Sequence, residues 1–274
     1  MIKRVLKNVG VYDGEAPAAS AQLEQEGWAL LPSVFPPDVV EELKSEIEEV
    51  FVAFAPERSR DDKQEYRYEM FNRSAACQRA IGDPRILEVV EPLLGEDCHV
   101  IANTAWKNPP EFEGGPWHCD AGPHIPRPVG VEWDDRIPYP VFAIAAHLML
   151  ADCALADGPT AVVPGSHRSG RLAPFDQMWD PDLTFDGRPP QVFEVEAGDV
   201  VLFVSDAWHR GLPAREGQGR GRFFMQAQYA RRDIAQRVRD IDSANQCSPE
   251  AIARADSPRA RTLIGLHDAF FYDA

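Results

Sequence analysis

The chain of 274 residues is expected to fold as a mainly β protein with flanking helices, a jelly-roll core buttressed by N-terminal helices. Two observations predict this. Before Cys98, apolar residues recur at helical spacing. From Cys98 onward, short runs rich in β-branched and aromatic residues alternate with Pro- and Gly-rich punctuation. Many short strands with turn signals indicate a sandwich or barrel, and helices that precede the strands suit one domain in which they cover a sheet. The expected division of residues 1–274 is a helical part at about 16–97, a core at about 98–232 and a C-terminal tail at 233–274.

Residues 16–28 (APAASAQLEQEGW) read as a short helix stopped by Gly27, and ALLPSVF as a buried strand. Pro36, Pro37 and Asp38 open a second helix, VVEELKSEIEEVF, with apolar residues at helical spacing. Residues 55–66 are highly charged and read as a loop. IGDPRILEVVEPLLG reads as a helix with Pro84 near its start and Gly95 at its stop. HVIANTAW, VFAIAAHLML, TAVVP, QVFEVE, DVVLFV and RFFMQAQYA are the expected strands. PPEFEGGP, GPHIPRP, ADGP and EAGD are the turns between them. Two loops, at about 121–140 and 166–190, are long enough to be lids or binding loops.

The formal net charge of −16 excludes nucleic acid as a partner, because its binding rests on phosphate neutralisation by Lys and Arg. The charge is uneven. Residues 209–261 hold eleven Arg against six acids, which leaves 17 of the 28 basic and 38 of the 44 acidic residues elsewhere. That basic segment suits an anionic ligand, although Arg231 to Arg239 read better as a solvated helical face. No apolar run approaches membrane-spanning length, so no membrane partner is expected. The opening residues MIKRVLKNVG lack the apolar core of a secretion signal. Five scattered cysteines (Cys77, Cys98, Cys119, Cys153, Cys247) point to reduced thiols and a cytoplasmic location.

The chemistry-bearing residues are His118 and Asp120 in GGPWHCD, His209 in SDAWHRG, and the arginines after it. Side chains alternate along a strand, so the first and third residues of His-x-Asp point the same way. A second His from a distant strand completes a set of two imidazoles and one carboxylate. That set holds iron(II) on one face and leaves the other open. Read singly, His118 and Asp120 are also compatible with a surface His near a turn Asp, and His209 with a hydrogen-bonded His at a strand end. After His209 the chain runs through the turn EGQGRG into RFFMQAQY. An Arg at the start of that strand can grip a carboxylate with two parallel hydrogen bonds. An iron oxygenase of this kind uses O2 and 2-oxoglutarate, whose distal carboxylate needs such a clamp.

PWHCD, AAHLMLADCALADGPTAVVPGSHRSGR and AGDVVLFVSDAWHRGLP resemble the phytanoyl-CoA dioxygenase (PhyH-like) family of iron(II)/2-oxoglutarate oxygenases, over about residues 20–232. Gly158 to Thr160 and Pro164 to His167 are its most specific pieces. The resemblance implies a double-stranded β-helix (cupin-like) core, and His118, Asp120 and His209 as iron ligands. Counting back from Tyr229 along the strand, it implies Arg222 as the 2-oxoglutarate clamp. Counting from His209 points instead to Arg220, which is second choice because the turn carries two extra residues. Thr160 matches a position that donates a hydroxyl to the cosubstrate, or is a turn threonine. His147 falls where relatives place a side chain against the cosubstrate, or is a satisfied core histidine. Arg67 falls near a further polar contact to 2-oxoglutarate. Lys107 matches a position leading into the metal strand, or is solvated. Pro164 to His167 reads as a structural turn. Trp117 and Trp133 are expected to wall the substrate cavity, with Phe142 as either wall or core.

Asp120 occupies the position that iron halogenases vacate for chloride, which favours oxygenation. The expected activity is hydroxylation, or another oxidation, of an unactivated C–H bond of a small metabolite, with release of succinate and CO2. The alternatives are a catalytically silent jelly-roll binding protein and a zinc hydrolase using the same ligands. The zinc reading leaves the Arg clamp unexplained. Alternation turns Cys119 away from the metal, without a catalytic role.

Overall fold

The computed structural model describes residues 16–55, 64–120, 122–237 and 247–267. Nine strands form two antiparallel sheets among these residues. They are β1 (Trp28–Leu31), β2 (Glu65–Arg67), β3 (His99–Asn108), β4 (Ala143–Met149), β5 (Thr160–Val162), β6 (Gln191–Val192), β7 (Val200–Val204), β8 (His209–Gly211) and β9 (Arg222–Ala230). The larger sheet runs β1-β7-β4-β9-β3-β2 and the smaller β6-β5-β8. An antiparallel bridge between His118 and His209 extends the smaller sheet by one edge.

The central strands are largely apolar because both faces of the larger sheet are covered. Ile144, Ala146 and Leu148 of β4, Val200, Leu202 and Val204 of β7, and Met225, Ala227 and Tyr229 of β9 face a helical layer. The intervening residues Ala145, Met149, Val201, Phe203 and Phe224 pack inward with Val162 and Phe193 of the smaller sheet's side. One sheet is therefore sandwiched between helices and a second sheet. The helical layer is α1 (Ala18–Glu26), α2 (Pro37–Ala53), α3 (Met70–Arg73), α4 (Ala75–Ala80) and α5 (Pro84–Leu94). In α2, Pro37 stands in the first turn, where its missing N–H costs nothing. Val40, Leu43, Ile47 and Val50 form the buried stripe. Burial of each such side chain stabilises the fold by roughly 1.5–3 kcal/mol.

Several elements depart from the sequence reading. β1 stops at Leu31, and the chain turns at Pro32–Ser33, where Ser33 has a φ of 50°. Of residues 55–66, residues 56–63 lie outside the described ones, whereas Glu65–Arg67 pairs with β3 as an edge strand. Residues 70–80, which carry no clear period, form α3 and α4. Only Gln191–Val192 of QVFEVE is a strand. The C-terminal residues supply α6 (Pro249–Arg254) and α7 (Pro258–Leu263), which bury Ala251 and Leu263 in the helix-side core. Residues 231–237 are turn rather than helix; Arg239 lies outside the described residues, as do the opening residues 1–15. The five cysteines are unpaired. No helix among the described residues is long and apolar enough to cross a membrane.

Pro164 to His167 turn into a short helical segment that ties three layers together. Ser166 donates its hydroxyl to the Val163 carbonyl and accepts the Trp208 N–H. The buried His167 Nε2 donates to the Glu24 carbonyl of α1 at 3.0 Å. Gly158, at φ 78°, is obligatory, since a Cβ there would lie 2.6 Å from the Leu212 carbonyl oxygen.

Candidate metal centre and its cavity

His118 and His209 exchange backbone N–H···O=C bonds of 3.0 and 2.9 Å, so their side chains stand side by side. Asp120, two residues on, is held by its N–H to the Ser205 carbonyl at the end of β7. The three ligand atoms lie within 4.8 Å of one another, with His209 Nε2 3.3 Å from Asp120 Oδ1. His118 Nδ1 faces the Pro116 carbonyl at 2.9 Å and His209 Nδ1 the Ala207 carbonyl at 2.9 Å. A carbonyl only accepts, so both Nδ1 atoms carry the proton and both Nε2 lone pairs are left for a metal. Burial raises the Asp120 carboxyl, but the neighbouring His209, with His118 and His147, outweighs it and holds the group below the ordinary carboxylate value. Gln228 Nε2 donates to Asp120 Oδ2 at 3.2 Å and to Ser205 Oγ at 2.9 Å, which leaves Oδ1 as the free ligand oxygen. This donor set fits a divalent metal bound on one face.

A cavity of about 420 Å³ opens from the triad. Arg222, Thr160 and His147 line it together. Arg222 Nη1 donates to Thr160 Oγ1 at 2.8 Å, and His147 Nδ1 lies 3.2 Å from the same oxygen. Register places them so: β9 pairs Gln226 with His147, and Thr160 pairs with Gly211. The guanidinium rests over the Phe112 and Phe224 rings at 5.4 and 5.2 Å. Arg222 is buried and has no carboxylate partner among the described residues. Burial pushes it down to about 10. A side chain at Gly211 would come within 2.3 Å of Arg222 Nη2, so glycine there keeps the guanidinium's free edge open. Burial, then Arg222, pushes His147 down to about 3, so its ring stays neutral.

The remaining sequence candidates lie elsewhere. Arg220 turns outward and grips Asp157 with its backbone N–H and its guanidinium (2.7 and 2.8 Å), and it is absent from the cavity wall. Arg67 donates to the carbonyls of Phe54, Tyr66 and Phe51, and so braces the helix–sheet junction rather than the cavity. Trp117, the neighbour of His118, faces the opposite side by alternation. It packs with Trp208 and Phe185 outside the smaller sheet and donates to the Asp180 carbonyl. Trp133 donates to the Ile137 carbonyl and packs on Tyr139, away from the cavity. Phe142 stacks on His124, and Lys107 pairs with Glu48 at the surface. Cys119 points away from the triad, and burial raises its thiol to about 12.

Sequence reasoning missed other residues. Gln228 shares a face with Arg222, a signal that was present in the strand period. Asp206 left no signal. Its buried carboxylate accepts Tyr139 Oη at 2.8 Å, the His124 N–H at 2.9 Å and His124 Nδ1, and so anchors the 122–141 segment three residues before His209. Trp106, Asn108 and Trp179 complete the cavity wall.

The model of the phytanoyl-CoA dioxygenase (PhyH) family matches residues 23–221. Dioxygenase af480 of Aspergillus fumigatus is 24% identical over 259 residues, 90% of this chain and 76% of that protein. Among solved structures, the epimerase SnoN of nogalamycin biosynthesis, in complex with Fe3+, alpha ketoglutarate and nogalamycin RO, is 19% identical. Its TM-score is 0.62, over 88% of this chain and 89% of that one. The non-heme alpha ketoglutarate-dependent carbocyclase SnoK is 19% identical with a TM-score of 0.63, over 84% of this chain and 90% of that one. At such identities the two structures share the fold, and that fold is the jelly roll seen here. The family match covers most of the chain, which therefore belongs to the phytanoyl-CoA dioxygenase (PhyH) family.

Proposed function

We propose that this family member is an iron(II)- and 2-oxoglutarate-dependent oxygenase that oxidises an unactivated C–H bond of a small metabolite, with hydroxylation as the default outcome and succinate and CO2 as coproducts. One observation carries the reading: a two-His, one-carboxylate donor set shares a cavity with a buried arginine that lacks a counter-charge. His118, Asp120 and His209 would hold the iron, and Gln228 keeps Asp120 turned to it. Arg222, steadied by Thr160, would receive the distal carboxylate of 2-oxoglutarate, and His147 offers a neutral ring beside it. Iron with 2-oxoglutarate and O2 supplies the oxidising power; the protein contributes orientation and a dry wall of Trp106, Phe112 and Phe224.

SnoN, solved with Fe3+ and alpha ketoglutarate, and SnoK support the cofactor assignment. As an epimerase and a carbocyclase, they also extend the outcomes to test beyond hydroxylation. The carboxylate of Asp120 disfavours a halogenase. The cavity volume suits a small metabolite, and the acidic surface outside residues 209–261 disfavours a polyphosphorylated thioester. Unpaired cysteines support a reducing, cytoplasmic setting. Anaerobic titration with iron(II) and 2-oxoglutarate is expected to produce a visible metal-to-ligand charge-transfer band. If the wild-type protein shows none, the cosubstrate assignment is wrong.

A further inference from the structure

β9 carries two glutamines on its cavity face, and they differ. Gln228 uses both hydrogens of its amide, one on Asp120 Oδ2 and one on Ser205 Oγ. Gln226 lines the cavity half-buried, and its amide makes no hydrogen bond among the described residues. Two residues along a strand span about 6.5–7 Å. Gln226 therefore stands one such step from the glutamine that holds Asp120, and two from Arg222.

The two flanks of β9 are unlike. Toward β4, Gln226 pairs with His147, whose Nδ1 lies 3.2 Å from Thr160 Oγ1, the oxygen that also receives Arg222. That flank carries the groups assigned above to the cosubstrate. Toward β3, register sets Thr104 beside Gln226, Trp106 beside Phe224 and Asn108 beside Arg222. Trp106 and Asn108 line the cavity, and the Trp106 ring lies nearly parallel to Phe224, at 9° and 6.4 Å. Trp106 Nε1 and Asn108 Oδ1 are buried there without a hydrogen-bond partner among the described residues. Asn108 is 4% exposed and stands at the clamp end, whereas Trp106 stands one step nearer the triad.

This β3 face carries no charge, because Lys107 turns to the helix side with Ala105 and pairs with Glu48. Orphaned polar groups in a cavity wall call for a partner from outside the protein. Here they offer hydrogen bonds to a neutral group. A glutamine amide presents a donor and an acceptor side by side. A hydroxyl both accepts and donates, so it can satisfy both, whereas a carboxylate only accepts and would face Oε1.

We propose that Gln226 is a substrate-binding residue whose amide takes a hydroxyl of the primary substrate, with the Trp106 ring as the wall beside it, so that this oxygenase acts on a neutral alcohol. The proposal rests on the reading above, in which the metal occupies the triad and 2-oxoglutarate reaches Arg222.

The test uses the full-length protein loaded with zinc(II) and 2-oxoglutarate, observed by 19F NMR. The probe is 4-fluorobenzyl alcohol, with 4-fluorotoluene and 4-fluorobenzoate as controls. The alcohol is expected to bind saturably and more tightly than either control. Gln226→Met keeps the length of the side chain and loses the amide. It is expected to weaken the alcohol about three- to tenfold, the loss of one neutral hydrogen bond, and to leave 4-fluorotoluene as it was. In the wild type, exchange of zinc for manganese(II) is expected to broaden the bound alcohol's signal, since the probe then lies close to the metal; this reading needs no variant. Absent binding, no preference over 4-fluorotoluene, a preference for the benzoate, an unchanged affinity in Gln226→Met or no broadening by manganese overturns the subsite. A variant that weakens 2-oxoglutarate and not the alcohol assigns Gln226 to the cosubstrate and overturns it as well. The iron(II)–2-oxoglutarate charge-transfer band is read on the same wild-type protein. If it is missing, the oxygenase reading fails. If it is present while the alcohol fails any of these readings, the subsite alone fails.

Discussion

On one face of β9, Phe223, Met225, Ala227 and Tyr229 sink into the core beneath the helices. On the other, Arg222, Gln226 and Gln228 face the cavity and the proposed metal ligands. β4 divides in the same way, with Ile144, Ala146 and Leu148 toward the helices and His147 toward the cavity. The helix side gains stability from apolar area removed from water. The cavity side gives some of it up, because Arg222 is a desolvated charge that only a ligand fully satisfies. The two faces of one sheet should therefore respond to mutation in opposite ways.

The largest effect is expected at the cavity face. Asp120→Ala removes one of the three proposed ligands, and it should abolish both iron(II) binding by equilibrium dialysis and the charge-transfer band, with a melting temperature in the metal-free form no lower than wild type. A large drop in the metal-free melting temperature would mean that this face also carries the fold. On the opposite face, Met225→Ala should cost about 2–5 kcal/mol in denaturant unfolding, the range for emptying a buried Met site. The folded fraction should still bind 2-oxoglutarate as tightly as before.

The helix side also carries a pH dependence. Burial pushes His167, bonded to α1 through Glu24, down to about 4. Between its unfolded value near 6.5 and 4, the unfolded chain takes up a proton that the folded one refuses. Stability should therefore fall by about 1.4 kcal/mol per pH unit across that window as the solution is acidified, about 3 kcal/mol in all. Urea unfolding between pH 7 and 4 checks this, and His167→Gln should reduce the slope by that contribution, leaving the part that the buried His147 adds over the same window. The last comparison sets two arginines two residues apart against each other. Arg222→Leu should weaken 2-oxoglutarate by roughly 10- to 100-fold, the equivalent of about 1.5–3 kcal/mol for a charge-assisted contact. Arg220→Leu, which removes an exposed guanidinium from the buried Asp157 outside the cavity wall, should leave the affinity within a factor of about two. The reverse order would move the clamp to Arg220.

Much of this was legible in the chain. RFFMQAQYA is β9 residue for residue, and its period of two correctly groups Arg222 with Gln226 and Gln228. The same period turns Cys119 away from the centre. It turns Trp117 away as well, against the expectation that this residue walls the cavity. α3 and α4 escaped because six residues or fewer are too short to display a helical period. Asp206 escaped because its partners, Tyr139 and His124, lie 67 and 82 residues away in the chain.

Periodicity is local: backbone geometry and the direction of each Cβ determine which residues share a face, so composition and spacing were enough for the strand-rich class and the phase of the longer strands, whereas the triad was read through a family resemblance. Which faces meet is not local. Arg222 reaches Thr160 across 62 residues and Gln228 reaches Asp120 across 108, through pairings whose cost in chain entropy is offset only by the packed sheet as a whole. That pairing, and not the sequence pattern, decided that Arg222 enters the cavity while Arg220 leaves it.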